Sequence, residues 1–293
     1  MTPPTPRPPA PSRTRDFLDH LPLERQSGRQ LRRIADGEVV GEWFGCELSS
    51  VFQPIVDPAT GAVIGNEAFL RVHGRGQRDL SPWMLFSANA DDERLIALDR
   101  LARTVHALNF IASADDESLL FLNVHGRLLA SVGDDHGAAF RRVVDAIGLP
   151  PARIVIETPL VASRQADLLS FVLRNYRHNG FRVAVNVESP AQWRRLAAMV
   201  PADFVKIDAA SLPGDDDAAK ALERLREHAG SATVVVKRIE AGTTQPWPHG
   251  VLVQGFAWGV PATKPVLQPV LPCDAPNDAA EVGAGERGAT RTR

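Results

Sequence analysis

The sequence predicts an α/β chain built as a (β/α)8-type, TIM-like barrel, and three observations predict it. First, β-rich runs recur at 119–124, 153–158, 182–187, 204–208, 233–238 and 251–256. Second, helical stretches such as 164–178, 190–199 and 216–229 separate most of them, the alternation of parallel strands joined by right-handed crossovers. Third, the polar residues near the ends of these runs are Asn123, Glu157, Asn186, Lys206, Lys237 and Gln254, spaced 34, 29, 20, 31 and 17 residues apart. Seven or eight strands in about 210 residues favour a closed barrel over an open sheet.

The elements follow in order. Residues 1–15 hold six of the 23 prolines and almost nothing to bury, so an extended, solvated segment is expected. Residues 16–48 read as a helical extension, with a short helix over Leu23 to Ala35 that presents arginines 25, 29, 32 and 33. The barrel is expected over 49–268. It opens with a hairpin: SSVFQPIVD as strand, DPATG as turn, AVIGNEAFLRV as returning strand. A long helix follows, with Leu95, Leu98, Leu101, Val105 and Leu108 on one stripe. The βα units come next, and residues 269–293 read as a small, polar, flexible tail.

Composition removes several function classes. The 33 basic and 35 acidic side chains give a net charge of -2, against the basic face that direct nucleic-acid binding needs. Cys46 and Cys273 form no metal or disulfide pattern. No apolar run approaches the roughly 18 residues of a membrane span, and the arginine-bearing N-terminus has no apolar core of a secretory signal. A cytoplasmic protein is expected.

In barrels of this kind chemistry sits at the C-terminal ends of the strands. Glu67, Asn123, Glu157, Asn186, Lys206, Lys237 and Gln254, with Asp208 two residues past Lys206, therefore point to one polar rim. His125, Phe256 and Trp258 are near enough in sequence to join it, although packing is the simpler expectation for each.

At these residues the sequence resembles the EAL domain family, which hydrolyses or senses cyclic di-GMP. The stretch FQPIVDPATGAVIGNEAFLRV looks like the family's opening hairpin, with Glu67-Ala68-Phe69 in place of Glu-Ala-Leu and Arg71 two residues on. FLNVHGRLL resembles its Asn-Leu-Ser segment through Asn123, and IVIETPLV its Leu-Glu-Ile-Thr-Glu segment through Glu157. FVKIDAASL matches at Lys206 and Asp208, and VLVQGFAWGVPAT at Gln254. The likeness runs in register from about Ser49 to Ala262. It implies a modified (β/α)8 barrel opened by one antiparallel strand.

The departures imply a degenerate member. Where the family has Asp-Asp-Phe-Gly-Thr-Gly, this chain has Asn186-Val187-Glu188-Ser189-Pro190. Where the family has Glu-Gly-Val-Glu, it has Lys237-Arg238-Ile239-Glu240. The second glutamate of the Leu-Glu-Ile-Thr-Glu segment is replaced near Pro159 and Leu160, and the helix after the seventh strand is cut to AGTTQPWPHG. The resemblance thus makes Glu67, Asn123, Glu157, Asn186, Lys206 and Lys237 vestigial positions, with no catalytic residue and no metal expected. A weak single-metal candidate is Glu67, Asn123 and Glu157.

Phosphodiester cleavage by the family implies two divalent cations in a carboxylate cage. Here two carboxylates face Lys206 and Lys237. At an effective dielectric of 20, each unit-charge repulsion at 4 Å costs about 4 kcal/mol.

Three functions stand open. The first is a non-hydrolytic, metal-independent receptor that binds cyclic di-GMP through Arg71, Lys206, Lys237, Gln254 and Glu67. In it Lys237, paired with Glu67 or Glu157 when empty, stands where a metal stood. The second is a nucleotide-independent protein-interaction module, acting on a partner or as a homodimer. The third is an active phosphodiesterase with a rebuilt, Mg-dependent site.

Overall fold

The computed structural model describes residues 30–34, 36–74, 79–88, 91–115, 117–127, 136–213, 215–240 and 247–273. Strands β3 (Cys46–Val56) and β4 (Val63–His73) form the predicted hairpin, in register from Glu47 opposite His73 to Val56 opposite Val63. Its turn is closed by Asp57, which accepts from the amide of Ala59 at 3.0 Å and from the Thr60 hydroxyl at 3.1 Å. Gly61 is needed there. Its φ of +71° is left-handed, and a Cβ would lie 2.7 Å from the Val270 carbonyl oxygen.

From β4 the sheet continues in parallel through β6 (Leu119–Asn123), β7 (Ile154–Thr158), β8 (Arg182–Val187), β9 (Phe204–Asp208), β10 (Thr233–Lys237) and β11 (Leu252–Val253). Strand β11 then pairs antiparallel with β3 at Val253 and Val56. Eight strands close the barrel, and β3 alone among them runs against its neighbours. The predicted last strand, 251–256, shrinks to two residues because the chain turns away at Gly255. A Cβ on Gly255 would lie 2.2 Å from the backbone of Ile239, so only glycine allows that approach. The shortened helix expected at 241–250 lies largely outside the described residues.

Period-two alternation divides each strand between two environments. One side meets the helices α3 (His136–Ile147), α4 (Ala166–His178), α5 (Pro190–Leu196) and α6 (Asp215–Ala229) through an outer core that includes Ile154, Ile156, Val183, Val185, Val205, Ile207, Val234 and Val236. The other side fills the lower barrel with Ile55, Leu119, Phe121, Val155, Ala184, Phe204, Val235 and Leu252. One step further along, the same inward side presents polar residues.

Two boundaries differ from expectation. The helical extension over 16–48 is corrected, since its described part is strand: β1 (Leu31–Arg33) pairs with β2 (Val39–Trp43), which pairs with the start of β3. Gly37, at φ +88°, turns the chain, Arg32 pairs with Glu47, and Leu31 packs on apolar side chains. Eleven residues of β3 span about 36 Å, so its upper part reaches past β11 and accepts this pair. Residues 1–29, including most of the predicted helix, lie outside the described residues. The flexible tail is corrected at 269–273: Val270 donates its amide to Gly61 at 2.8 Å and Cys273 to Ala257 at 2.8 Å. Residues 274–293 lie outside the description.

The short strand β5 (Asp79–Leu80) and helix α1 (Pro82–Ala88) lead to α2 (Asp92–Ser113), capped by Asp91, whose carboxylate accepts from the Glu93 amide. The predicted stripe of α2 is buried, and so is much of its polar face, because β2 and β3 cover it. Asn109 accepts from the Val39 amide at 2.7 Å and donates to the Val39 carbonyl at 2.8 Å, as a strand neighbour would. His106 Nδ1 lies 2.7 Å from the Ser50 hydroxyl. Burial pushes the imidazole down to about 3, so it is held neutral. Among the described residues no helix is long and apolar enough to cross a membrane.

Candidate functional site

The inward step above the apolar plug carries eight polar side chains: Gln53, Glu67, Asn123, Glu157, Asn186, Lys206, Lys237 and Gln254. They follow two residues after Phe121, Val155, Ala184, Phe204, Val235 and Leu252, two after Gly65, and two before Ile55 on the antiparallel strand. The barrel therefore brings together seven of the eight residues that sequence predicted for the rim; Asp208, at the end of β9, pairs with Arg238 instead. Gln53 was missed. Its signal was its place opposite Glu67 in the hairpin, where the alternation of FQPIV turns it inward.

At the centre stands Lys206. Its Nζ lies 2.6 Å from Glu67 Oε2 and 2.6 Å from Glu157 Oε2, and the side chain is wholly buried. Asn123 Nδ2 donates to Glu67 Oε1 at 2.7 Å and Gln254 Nε2 to Glu67 Oε2 at 2.9 Å. Asn186 Nδ2 donates to Glu157 Oε1 at 2.8 Å and to the Thr158 carbonyl at 2.8 Å. Gln53 ties the ring to the loop beyond β11 by donating to the Gly259 carbonyl at 3.0 Å.

These contacts decide the charges. Burial pushes the Lys206 ammonium down, but the two carboxylates overcome it and hold the group above its ordinary value. Burial likewise pushes Glu67 up, yet Lys206 and the donated hydrogen bonds bring it below the usual carboxylate range. Glu157 goes the other way: burial and the negative charge of Glu67 raise it despite Lys206. Lys237 is lowered by burial, with Glu157 too weak a counterweight. Among the described residues, Lys237 makes no hydrogen bond and no ion pair.

Two expectations are corrected here. Lys206, not Lys237, pairs with Glu67 and Glu157. Lys206 is also withdrawn as a phosphate contact, since it lies beneath the cavity lining with its ammonium held by two carboxylates.

Above the ring opens a cavity of about 670 Å³. Arg71 and Lys237 line it, as do Glu67, Asn123, Glu157, Asn186 and Gln254. Sequence reasoning did not select Arg238, Glu240, Pro159, Leu160 or Pro261 for this wall. Arg238 follows β10 at a left-handed φ of 59°, and its Nη1 lies 3.1 Å from Asp208. Non-glycine residues hold that conformation at a cost of about 1–3 kcal/mol and cluster at functional sites. The backbone amide of Ile239 then reaches the Gln254 carbonyl at 3.2 Å. Phe256 lines the mouth, 54% exposed, whereas Trp258 is buried. His125 stacks on Phe86 at 5.0 Å and does not line the cavity.

The cavity lining carries three cationic side chains, Arg71, Lys237 and Arg238, and three carboxylates, Glu67, Glu157 and Glu240. Glu67, Asn123 and Glu157, the single-metal candidates, do converge, but around an ammonium. Among the described residues no group of three or more His, Cys, Asp or Glu is placed to hold a metal.

The EAL domain matches residues 44–247 of the sequence. Solved structures with the same fold include the FimX EAL domain from Pseudomonas aeruginosa bound to c-di-GMP (TM-score 0.61, 16% identity, covering 76% of this chain and 93% of that one). The Bacillus subtilis YkuI protein, in complex with c-di-GMP and calcium, matches with TM-score 0.59 and 23% identity over 74% of this chain and 55% of its own. Klebsiella pneumoniae BlrP1, a manganese and cyclic di-GMP complex, matches with TM-score 0.57 and 20% identity over 84% and 61%. This chain thus spans little more than half of the last two proteins. No curated protein matches it.

Proposed function

This chain belongs to the EAL domain family, and from that premise we propose that it is a metal-independent receptor for cyclic di-GMP without hydrolytic activity. One observation carries the reading. Lys237, where the family has a glutamate, lines the cavity above Glu67 and Glu157, two carboxylates that already share Lys206, the lysine of the family pattern, at 2.6 Å from each. The family chemistry calls for two divalent cations there, and the residues present do not fit them. Two carboxylates already share one positive charge, and the neighbouring Asn123 and Asn186 each donate a hydrogen bond to one of them. Four added positive charges would meet two ammonium groups.

The same features support anion binding. Cyclic di-GMP is a dianion, and Arg71, Lys237 and Arg238 line one cavity. Guanidinium groups match phosphate oxygens in pairs, and an ammonium holds phosphate as a point charge. Phe256 and Phe69 give the mouth two aromatic faces on which a base can stack. The solved relatives that hold cyclic di-GMP support the choice of ligand.

Calorimetric titration of the full chain with cyclic di-GMP, in EDTA and then in excess Mg²⁺, tests this reading. Equal binding in both is expected, with no linear dinucleotide formed beyond that of a Glu67→Ala control. Binding that needs metal, or turnover lost in Glu67→Ala, sinks it. Absence of binding favours a second reading, a protein-interaction module. For that reading the exposed apolar residues Leu160, Val161, Phe256 and Val260 are the supporting observation.

A further inference from the structure

The chain has 33 basic lysines and arginines, of which only four are lysine: Lys206, Lys220, Lys237 and Lys264. Two of the four stand in the polar site. Their surroundings differ in ways that decide amine chemistry, because only a neutral amine with room in front of it is a nucleophile. Lys206 is wholly buried between two carboxylates and is inert. Lys220 is exposed and 3.3 Å from Asp217. Lys264 is exposed beyond the last strand and lines no part of the polar cavity. Lys237 alone is half-buried, without an ion pair or hydrogen bond among the described residues, and faces a cavity.

That cavity also holds two guanidinium groups, Arg71 and Arg238. Arg238 is engaged with Asp208, whereas Arg71 is exposed and makes no ion pair among the described residues. An electrophile that carries phosphate and is held by Arg71 would share one cavity of about 670 Å³ with the amine. We propose that Lys237 is a modification site, acylated by acyl phosphates that bind through their phosphate to Arg71. The amine forms a bond to the acyl carbon, the bond from that carbon to the phosphate oxygen breaks, and inorganic phosphate leaves with the electron pair. The ammonium proton passes to solvent. No further co-reactant is needed.

The groups facing Lys237 agree with this chemistry. Burial, Lys206 and Arg238 all favour the neutral amine, and Glu157 and Glu67 oppose them without prevailing. The product is an uncharged amide. If the anion-receptor reading above holds, acylation removes one cation from the ligand site and weakens the nucleotide, so acyl phosphate and nucleotide would compete. The modification itself does not depend on that reading.

The test uses the full chain with acetyl phosphate at pH 7.5 and mass spectrometry of each lysine-bearing peptide over time. Lys237 is expected to acetylate about tenfold faster than Lys264, the factor that one charge-assisted hydrogen bond to phosphate supplies. Arg71→Ala and excess inorganic phosphate should each erase that lead while Lys264 and Lys220 react as before. Faster reaction at Lys264 or Lys220 overturns the proposal. So does a lead at Lys237 that neither Arg71→Ala nor phosphate reduces. Nucleotide binding is not read in this experiment, so its outcome stands apart from the calorimetry.

Discussion

Two regions of this protein bury charged and polar side chains, and they spend them differently. The long helix α2 holds Asp99 against Arg103 on its side toward α3, and in its seam with β2 and β3 it holds His106 against Ser50 and Asn109 against the backbone of Val39. Arg103 also lies over the Phe140 ring at 4.6 Å. The ring at the barrel mouth holds Lys206 between Glu67 and Glu157 in much the same manner. Above it, however, Lys237 and Arg71 face a cavity and make no ion pair among the described residues. The seam joins elements of the fold. The ring has a structural floor and a cationic wall, and the proposed receptor function assigns the wall to the ligand.

Cutting the floor should have the largest effect. Lys206→Met leaves two buried carboxylates facing each other, and breaking a buried pair in this way costs about 3–5 kcal/mol. Denaturant unfolding should show that loss, and a wild-type midpoint would mean that the floor is not a structural unit. Acid should strike the seam next. His106 is held neutral with its pKa near 3, whereas the unfolded chain titrates at its ordinary value near 6.5. The unfolded state therefore binds the extra proton first as pH falls below about 6.5, and stability drops by about 1.4 kcal/mol per pH unit until about 3. Unfolding midpoints from pH 7 to pH 5 should follow that slope in wild type and flatten in His106→Gln, if the variant keeps the fold.

The wall should answer in binding and not in stability. Arg71→Ala should raise the dissociation constant for cyclic di-GMP by roughly 10- to 150-fold, the loss of one charge-assisted hydrogen bond of about 1.5–3 kcal/mol. Its melting temperature should stay within a degree or two of wild type, about what a surface substitution allows. The smallest effect belongs to Lys237→Met. Since Lys237 has no partner to strand among the described residues, its removal should weaken binding while leaving the unfolding midpoint unchanged or slightly raised. A clear drop in midpoint would place Lys237 with the floor and erase the contrast.

Much of this was legible before any fold was known. Six parallel strands announced themselves as short apolar runs, and the polar residues near their ends stood out because little else there is polar. The seam was not legible. Asp99, Arg103, His106 and Asn109 lie on the side of α2 that a helical pattern assigns to water; β2 and β3 cover His106 and Asn109, whereas Arg103 packs on Phe140 of α3 and Asp99 meets the backbone of His125. The strands β1 and β2 were themselves misread, since arginines spaced for a helix face do not reveal that a long β3 offers an unpaired edge.

The sequence by itself determined that this is an EAL-type barrel and which side chains gather at its mouth, two carboxylates and two lysines among them. Period-two alternation and local charge are properties of short segments, so they can be read along the chain. Only the tertiary structure decided which lysine does what. Lys206 and Lys237 are each preceded by an apolar run and each follow an inward apolar residue, and nothing local separates them. Closure of the barrel puts Lys206 within 2.6 Å of two carboxylates from strands 139 and 49 residues away in sequence and leaves Lys237 facing the cavity. The pairing of a buried charge depends on distances between strands remote in sequence, and those exist only once the sheet has closed.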